Sequence, residues 1–166
     1  MHGRRPLRRT PGAGRPALVA VLCAGVALLA GACGDGAVRA VPFDAADSPA
    51  CLAVADHWPT TVGPHEPRVT AVQSRGVAAW GDPPIVARCG KQPPGPTTEQ
   101  CLDVNGVDWV LTELDDGAMF TTYGRDPAIE VLVPDTHESA PLLLPVFGAA
   151  AEQVPQTMGR CTAVGD

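Results

Sequence analysis

Cys33 carries the clearest chemistry in this chain of 166 residues. It follows Leu28-Leu29-Ala30-Gly31-Ala32 at the end of a charge-free run over 16–32, which itself follows Arg4, Arg5, Arg8, Arg9 and Arg15. A positive n-region, an apolar stretch and small residues beside a cysteine are the parts of a bacterial lipoprotein signal. In such a signal the peptide is cut before the cysteine, and the thiol carries a diacylglyceryl group as a thioether, with a further acyl chain such as palmitate on the amine. Gly31 and Ala32 suit a narrow peptidase site, and Ala30 stands where leucine is usual. The run is shorter than the roughly 20 apolar residues of a spanning helix and is interrupted by Gly25 and Gly31, so it reads as a signal segment and not as a membrane span. Cys23 follows Leu22 inside the run, with no small residue before it, and is expected to leave with the signal. The Arg4-Arg5 and Arg8-Arg9 pairs lack the aromatic residue that a twin-arginine signal places after them. Each buried methylene contributes about 0.8 kcal/mol, so two or three acyl chains on Cys33 make a lasting anchor.

The remaining cysteines, Cys51, Cys89, Cys101 and Cys161, form an even set in a domain expected outside the cytoplasm, which reads as two disulfides. Three connectivities are allowed. We expect Cys89 with Cys101, closing a short loop, and Cys51 with Cys161, tying the two ends of the domain. The absence of a CxxC pair leaves a thioredoxin-like site or a zinc ribbon without support.

Other residues could do chemistry only if the fold gathers them. Trp80, Trp109 and Tyr123 could form an aromatic shelf for a ligand, although core or edge packing explains them as well. Arg88 and Arg125 stand at strand ends, where a guanidinium grips a carboxylate or phosphate; pairing with one of the chain's many acids is the plainer role. Asp56-His57 and His65-Glu66 flank a proline-rich break instead of sharing a helix face, so surface solvation is expected of them. Asp103, Asp108, Asp115 and Asp116 surround two turns without the spacing of a calcium loop. GxSxG, P-loop and HExxH motifs are absent, and no catalytic residue, cofactor or metal ligand is assigned. The loop over 90–100 contains Pro93-Pro94-Gly95-Pro96; a stiff, exposed loop loses less entropy on meeting a partner.

Charge narrows the partners. All 18 acidic residues follow Cys33, whereas five of the 12 basic residues precede it, so the mature part is strongly acidic. Phosphate-backbone binding needs the opposite sign, which excludes nucleic acid as an expected partner. Lys91 is the only lysine in a chain rich in alanine, glycine, proline, valine and arginine, a bias that GC-rich codons produce.

The elements that must position these residues follow from breakers and periodicity. Residues 1–32 are the signal, 33–46 a tether and 47–166 a single extracytoplasmic domain, too short for two cores. Ser48-Pro49 reads as N-cap and first helical residue, and Cys51, Leu52, Ala55 and Trp58 recur at helical spacing before Pro59. Strands are expected over 69–73, 77–80, 85–88, 107–112, 119–123 and 128–133, with a hairpin turn at Asn105-Gly106. A second helix is expected from about 141–145 to Val154. Together these give an α+β fold: an antiparallel sheet of about five strands, with an N-terminal and a C-terminal helix packed on one face and two disulfides.

The Cys51 helix, Ala79-Trp80-Gly81, Arg88-Cys89-Gly90, Cys101, Val107-Asp108-Trp109, Tyr123-Gly124-Arg125 and Cys161 occur in an order and spacing that resembles the actinobacterial lipoproteins of domain of unknown function 3515. The likeness covers residues 38 to 161. It implies a membrane-anchored envelope protein of unassigned activity, held at the extracytoplasmic face of the cell membrane. The expected function is therefore a non-enzymatic binding or accessory lipoprotein, with the membrane and an envelope protein as partners. A small cell-wall hydrolase or redox enzyme is the alternative, as is a small-ligand-binding module.

Overall fold

Short β-rich runs separated by Gly, Asp and Pro pair with their neighbours in this chain, and the result is a sheet. The structure is a computed structural model and describes residues 36–137 and 139–162. The signal over 1–32 and Cys33 lie outside the described residues. In chain order the elements are α1 (Pro49–Ala55), β1 (Pro67–Arg68), β2 (Val77–Trp80), β3 (Ile85–Lys91), β4 (Cys101–Val104), β5 (Val107–Leu114), β6 (Gly117–Thr122), β7 (Ala128–Pro134), a 3₁₀ helix (Ala140–Phe147) and α2 (Gly148–Ala151). The seven strands form one sheet in the order β1-β2-β3-β7-β6-β5-β4, and every neighbouring pair is antiparallel.

This corrects the expected α+β fold of about five strands. Among the described residues the domain is mostly sheet, with seven strands and two short α-helices of 7 and 4 residues. The two edge strands lack a clear strand pattern: β4, Cys-Leu-Asp-Val, holds an acid within its four residues, and β1 is shorter still. β1 has two residues and opens on Pro67, which an edge strand tolerates because the missing N–H takes no ladder bond from a neighbour. The strand expected over 69–73 reduces to an isolated parallel bridge between Thr70 and Val38. The expected C-terminal helix fails for a definite reason. Pro145 lacks an N–H, and in an α-helix its ring would crowd the carbonyl of Pro141, so the uncharged run Ala140–Phe147 winds as 3₁₀ and turns α-helical only at Gly148.

The N-terminal helix forms as its signals require. The Ser48 hydroxyl accepts from Cys51 N at 3.3 Å, and Pro49 takes the first helical position. Its apolar side buries Cys51 and Val54. The hairpin at Asn105-Gly106 also forms, with φ of 54° and 83° joining Val104 to Val107.

Alternation along the strands makes two cores. On one face Ile85, Ala87 and Cys89 of β3, Ile129, Val131 and Val133 of β7, and Phe120 of β6 pack under α1, the 3₁₀ helix and α2. Trp80 meets Phe147 edge-on there, ring centroids 5.5 Å apart, an arrangement worth about 1 kcal/mol beyond its buried area. On the other face Val77, Ala79 and Val86 are covered by Val38 and Ala40. Residues 38–46, expected within the tether, thus lie against the sheet. Gly90, at φ 105°, permits this approach: a Cβ there would stand 2.6 Å from Ala46 N.

Both expected disulfide pairings are corrected. Cys51 bonds Cys89, fastening α1 to the interior strand β3, and Cys101 bonds Cys161, fastening the edge strand β4 to the C-terminal tail.

Candidate binding groove

Glu130 is the buried charge around which the second face is organised. It projects from the central strand β7 with its side chain 2% exposed, directly between Arg88 of β3 and Thr121 of β6. A carboxylate buried this far needs partners for its lone pairs. Arg88 donates to Oε1 through Nε at 3.0 Å and again through Nη2, while Lys91 Nζ donates to Oε2 at 2.5 Å. Lys91 also donates to Thr121 Oγ1 at 3.3 Å. The Arg88 Nη1 bonds the Val41 carbonyl at 3.1 Å, and the guanidinium lies 4.4 Å from the centre of the Phe43 ring. Arg88, read from sequence as an anion grip or a structural partner, is therefore committed to Glu130.

Beside this cluster opens a groove of about 950 Å³, with Phe43, Asp44, Lys91, Gln92, Asp126 and Met158 among its walls. β3 lines it with Gly90 and Lys91, at the bulge between Cys89 and Lys91. Gln92 and Pro93 begin the long connection from β3 to β4, so the proline loop runs out from the groove's own wall. Gly95 to Gln100 are exposed. The loop is nonetheless secured: the Gln100 carbonyl accepts from Leu111 N at 2.8 Å, and Thr112 Oγ1 donates to Glu99 at 2.7 Å. Cys89 and Cys101, just outside its two ends, belong to separate disulfides. The loop is thus anchored at both feet and closed by neither bond.

The C-terminal tail is clasped against β5 and the turn that follows β6. Asp108, 4% exposed, accepts from Gln156 Nε2 at 2.7 Å and from Cys161 N at 2.9 Å. Arg125, 6% exposed, donates through Nη1 to the Val154 carbonyl, and its Nε has no hydrogen-bond partner among the described residues. Burial lowers the Arg125 pKa; Glu152 and Asp108 oppose that shift and Arg160 adds to it.

A family model described as "Protein of unknown function (DUF3515)" matches residues 15–158. The chain belongs to this family. No curated protein and no solved structure matches it. The DUF3515 match begins ahead of the charge-free run and takes in Cys33.

Within this DUF3515 domain the residues that suggested sites are mostly spent on packing. Trp80 and Trp109 are buried in the helix-side core, and Trp80 Nε1 donates to the Pro59 carbonyl at 3.1 Å, so no open shelf forms with Tyr123. Tyr123 instead lies against Gly159 of the tail. Asp56 pairs with Arg75, and the His57 ring bonds the Ala53 carbonyl. Asp103 Oδ1 accepts from Gly106 N at 3.1 Å, which is turn chemistry. Among the described residues no three His, Cys, Asp or Glu side chains gather as a metal site requires.

One pair was illegible in the sequence. His65 and His137 meet edge-to-face, ring centroids 4.3 Å apart, and a ring nitrogen of His137 (Nε2) lies 2.7 Å from the Pro83 carbonyl. The His65 pKa is lowered, first by burial and then by His137. No local pattern links residues so distant in the chain.

Proposed function

We propose that this DUF3515 protein is a lipid-anchored envelope protein, tethered through Cys33 at the extracytoplasmic face of the cell membrane, which docks an envelope protein on the loop over 92–100 and the groove beside it. The observation that carries the reading is the loop's double fastening: exposed, proline-stiffened and fixed at each foot by a different disulfide. A loop ordered in advance keeps more of its binding energy when a partner arrives. Two disulfides suit an oxidising compartment, and the family match spans the arginine-led apolar run and Cys33. A non-enzymatic role is supported by the saturation of the buried acids, since Glu130 and Asp108 are held by structural donors.

The test is made in cells, with tagged full-length protein bearing a photocrosslinker at Thr98. Intact mass of the purified product reads lipid on Cys33, and Cys33→Ser releases the protein from membranes. One defined envelope protein captured at Thr98, and lost when Pro93 to Pro96 are replaced by serine, supports docking. Capture of lipid and abundant neighbours alone overturns it.

A further inference from the structure

The acyl anchor leaves the domain very little slack. Cys33 precedes Val38 by five positions, and Val38 is already 8% exposed, packed on the sheet and bridged to Thr70. Five residues reach about 17 Å when fully extended. That is less than the roughly 30 Å width of a small domain, so the surface around Val38 must stay close to the membrane that holds the anchor.

That surface has the composition a bilayer needs. Val41 is 74% exposed and Val69 is 77% exposed. Their segments run side by side, since the Val69 carbonyl accepts from Val38 N at 2.8 Å and Val38 O accepts from Ala71 N at 2.8 Å, and Val41 follows three residues along from Val38. Ala71 is exposed as well. The charges agree. Over 36–43 the one charged residue is Arg39, which is exposed, and over 67–76 the charged residues are Arg68 and Arg75. No acid falls in either segment, although the chain carries 18. Arg75 is paired to Asp56 and Arg68 lies 3.9 Å from Asp82, so Arg39 carries the attraction to anionic headgroups.

We infer that Arg39, Val41, Val69 and Ala71 form a membrane-resting face, on which the domain lies against the anionic bilayer that holds its own lipid. The inference rests on the lipidation of Cys33 proposed above. The mature chain is strongly acidic, so an anionic surface favours an approach through the Arg39 segment, whose own residues over 36–43 carry no acid. The two valines then enter the boundary between headgroups and acyl chains. The exposed ridge of the 3₁₀ helix, with Leu142 at 75% and Val146 at 38%, is the rival apolar surface, and no short tether leads to it.

The experiment uses full-length lipidated protein in vesicles of phosphatidylglycerol and phosphatidylcholine, the latter with brominated acyl chains. Tryptophan is placed by Val69→Trp or Leu142→Trp, both exposed positions that tolerate it, and the signal of unsubstituted protein is subtracted. Bromine is expected to quench Val69→Trp about twofold more than Leu142→Trp. Adding Arg39→Glu is expected to remove the difference. Equal quenching, or stronger quenching of Leu142→Trp, overturns the face while leaving the anchor intact, provided the protein carries lipid mass and floats with the vesicles. Absence of lipid on Cys33 overturns both readings. A blue shift of Val69→Trp that grows with protein concentration and ignores bromine assigns the face to a second copy and also overturns the proposal.

Discussion

Cys89 and Cys101 are close in sequence yet sit on strands β3 and β4, with β7, β6 and β5 between them. The register turns them to opposite faces: Cys101 lies in the row of Val110, Thr121, Glu130 and Arg88, whereas Cys89 points into the helix-side core. Four strand spacings amount to about 19 Å. A disulfide needs Cα atoms within about 7 Å, so the short-loop pairing is geometrically closed to them.

Peptide mapping without reduction should therefore recover Cys51 linked to Cys89 and Cys101 linked to Cys161. Closed loops of 38 and 60 residues each contribute roughly 4 kcal/mol through lost unfolded-state entropy. Replacing Cys51 and Cys89 together by serine is expected to lower the unfolding free energy by about that amount in a urea titration. A peptide joining Cys89 to Cys101 would contradict the sheet order itself.

Glu130 should be the most sensitive charged position in the domain. Glu130→Ala strands Arg88 and Lys91 against a buried surface, and breaking such a cluster costs about 3–5 kcal/mol. Lys91→Met should cost less, because both Arg88 bonds to Oε1 remain. Chemical denaturation of the two variants and the double variant gives their coupling. Independent, additive effects would show that the cluster does not act as a unit.

Gly124→Ala should loosen the tail clasp. The glycine holds φ at 74°, and an added Cβ would stand 2.2 Å from the Gly159 carbonyl. The cost expected from conformation and clash together is about 2 kcal/mol. Hydrogen exchange should show lost protection at Thr157 and Met158, whose N–H groups bond the Gly124 carbonyl. Unchanged protection there would count against the clasp.

Acidification should weaken the fold through His65. Its pKa in the folded state lies below the ordinary 6.5, so the unfolded chain takes up a proton first as pH falls. The stability contributed by the neutral ring is complete above pH 6.5 and is lost as pH drops from there through the lowered folded value. Urea midpoints measured on each side of pH 6.5 should differ, and His65→Asn should shrink the difference. A midpoint insensitive to that substitution would remove His65 as the cause.

Local elements were legible wherever one short stretch carried its own physics. Ser48-Pro49 started a helix, Asn105-Gly106 turned a hairpin, and β2, β3, β5, β6 and β7 were each visible as alternating or β-branched runs near 77–80, 85–88, 107–112, 119–123 and 128–133. The strands at the two edges were not, since β1 has only two residues and β4, Cys-Leu-Asp-Val, breaks its short apolar run with an acid. The proposed groove was half visible: the proline loop announces itself, but Phe43, Asp126 and Met158 join its walls only through the chain's return.

The sequence by itself determined the charge of the domain, the cysteines available for bonding, the breakers between strands and the arginine-led run ending at Cys33, because composition and near-neighbour chemistry need no partner across the fold. Only the tertiary structure decided which cysteines pair, that Glu130 rather than a surface acid takes Arg88 and Lys91, and that His65 meets His137. Those outcomes depend on strand order and register. When β3 pairs with β7, β4 is left at the opposite edge of the sheet, and no short-range pattern in the chain encodes that choice.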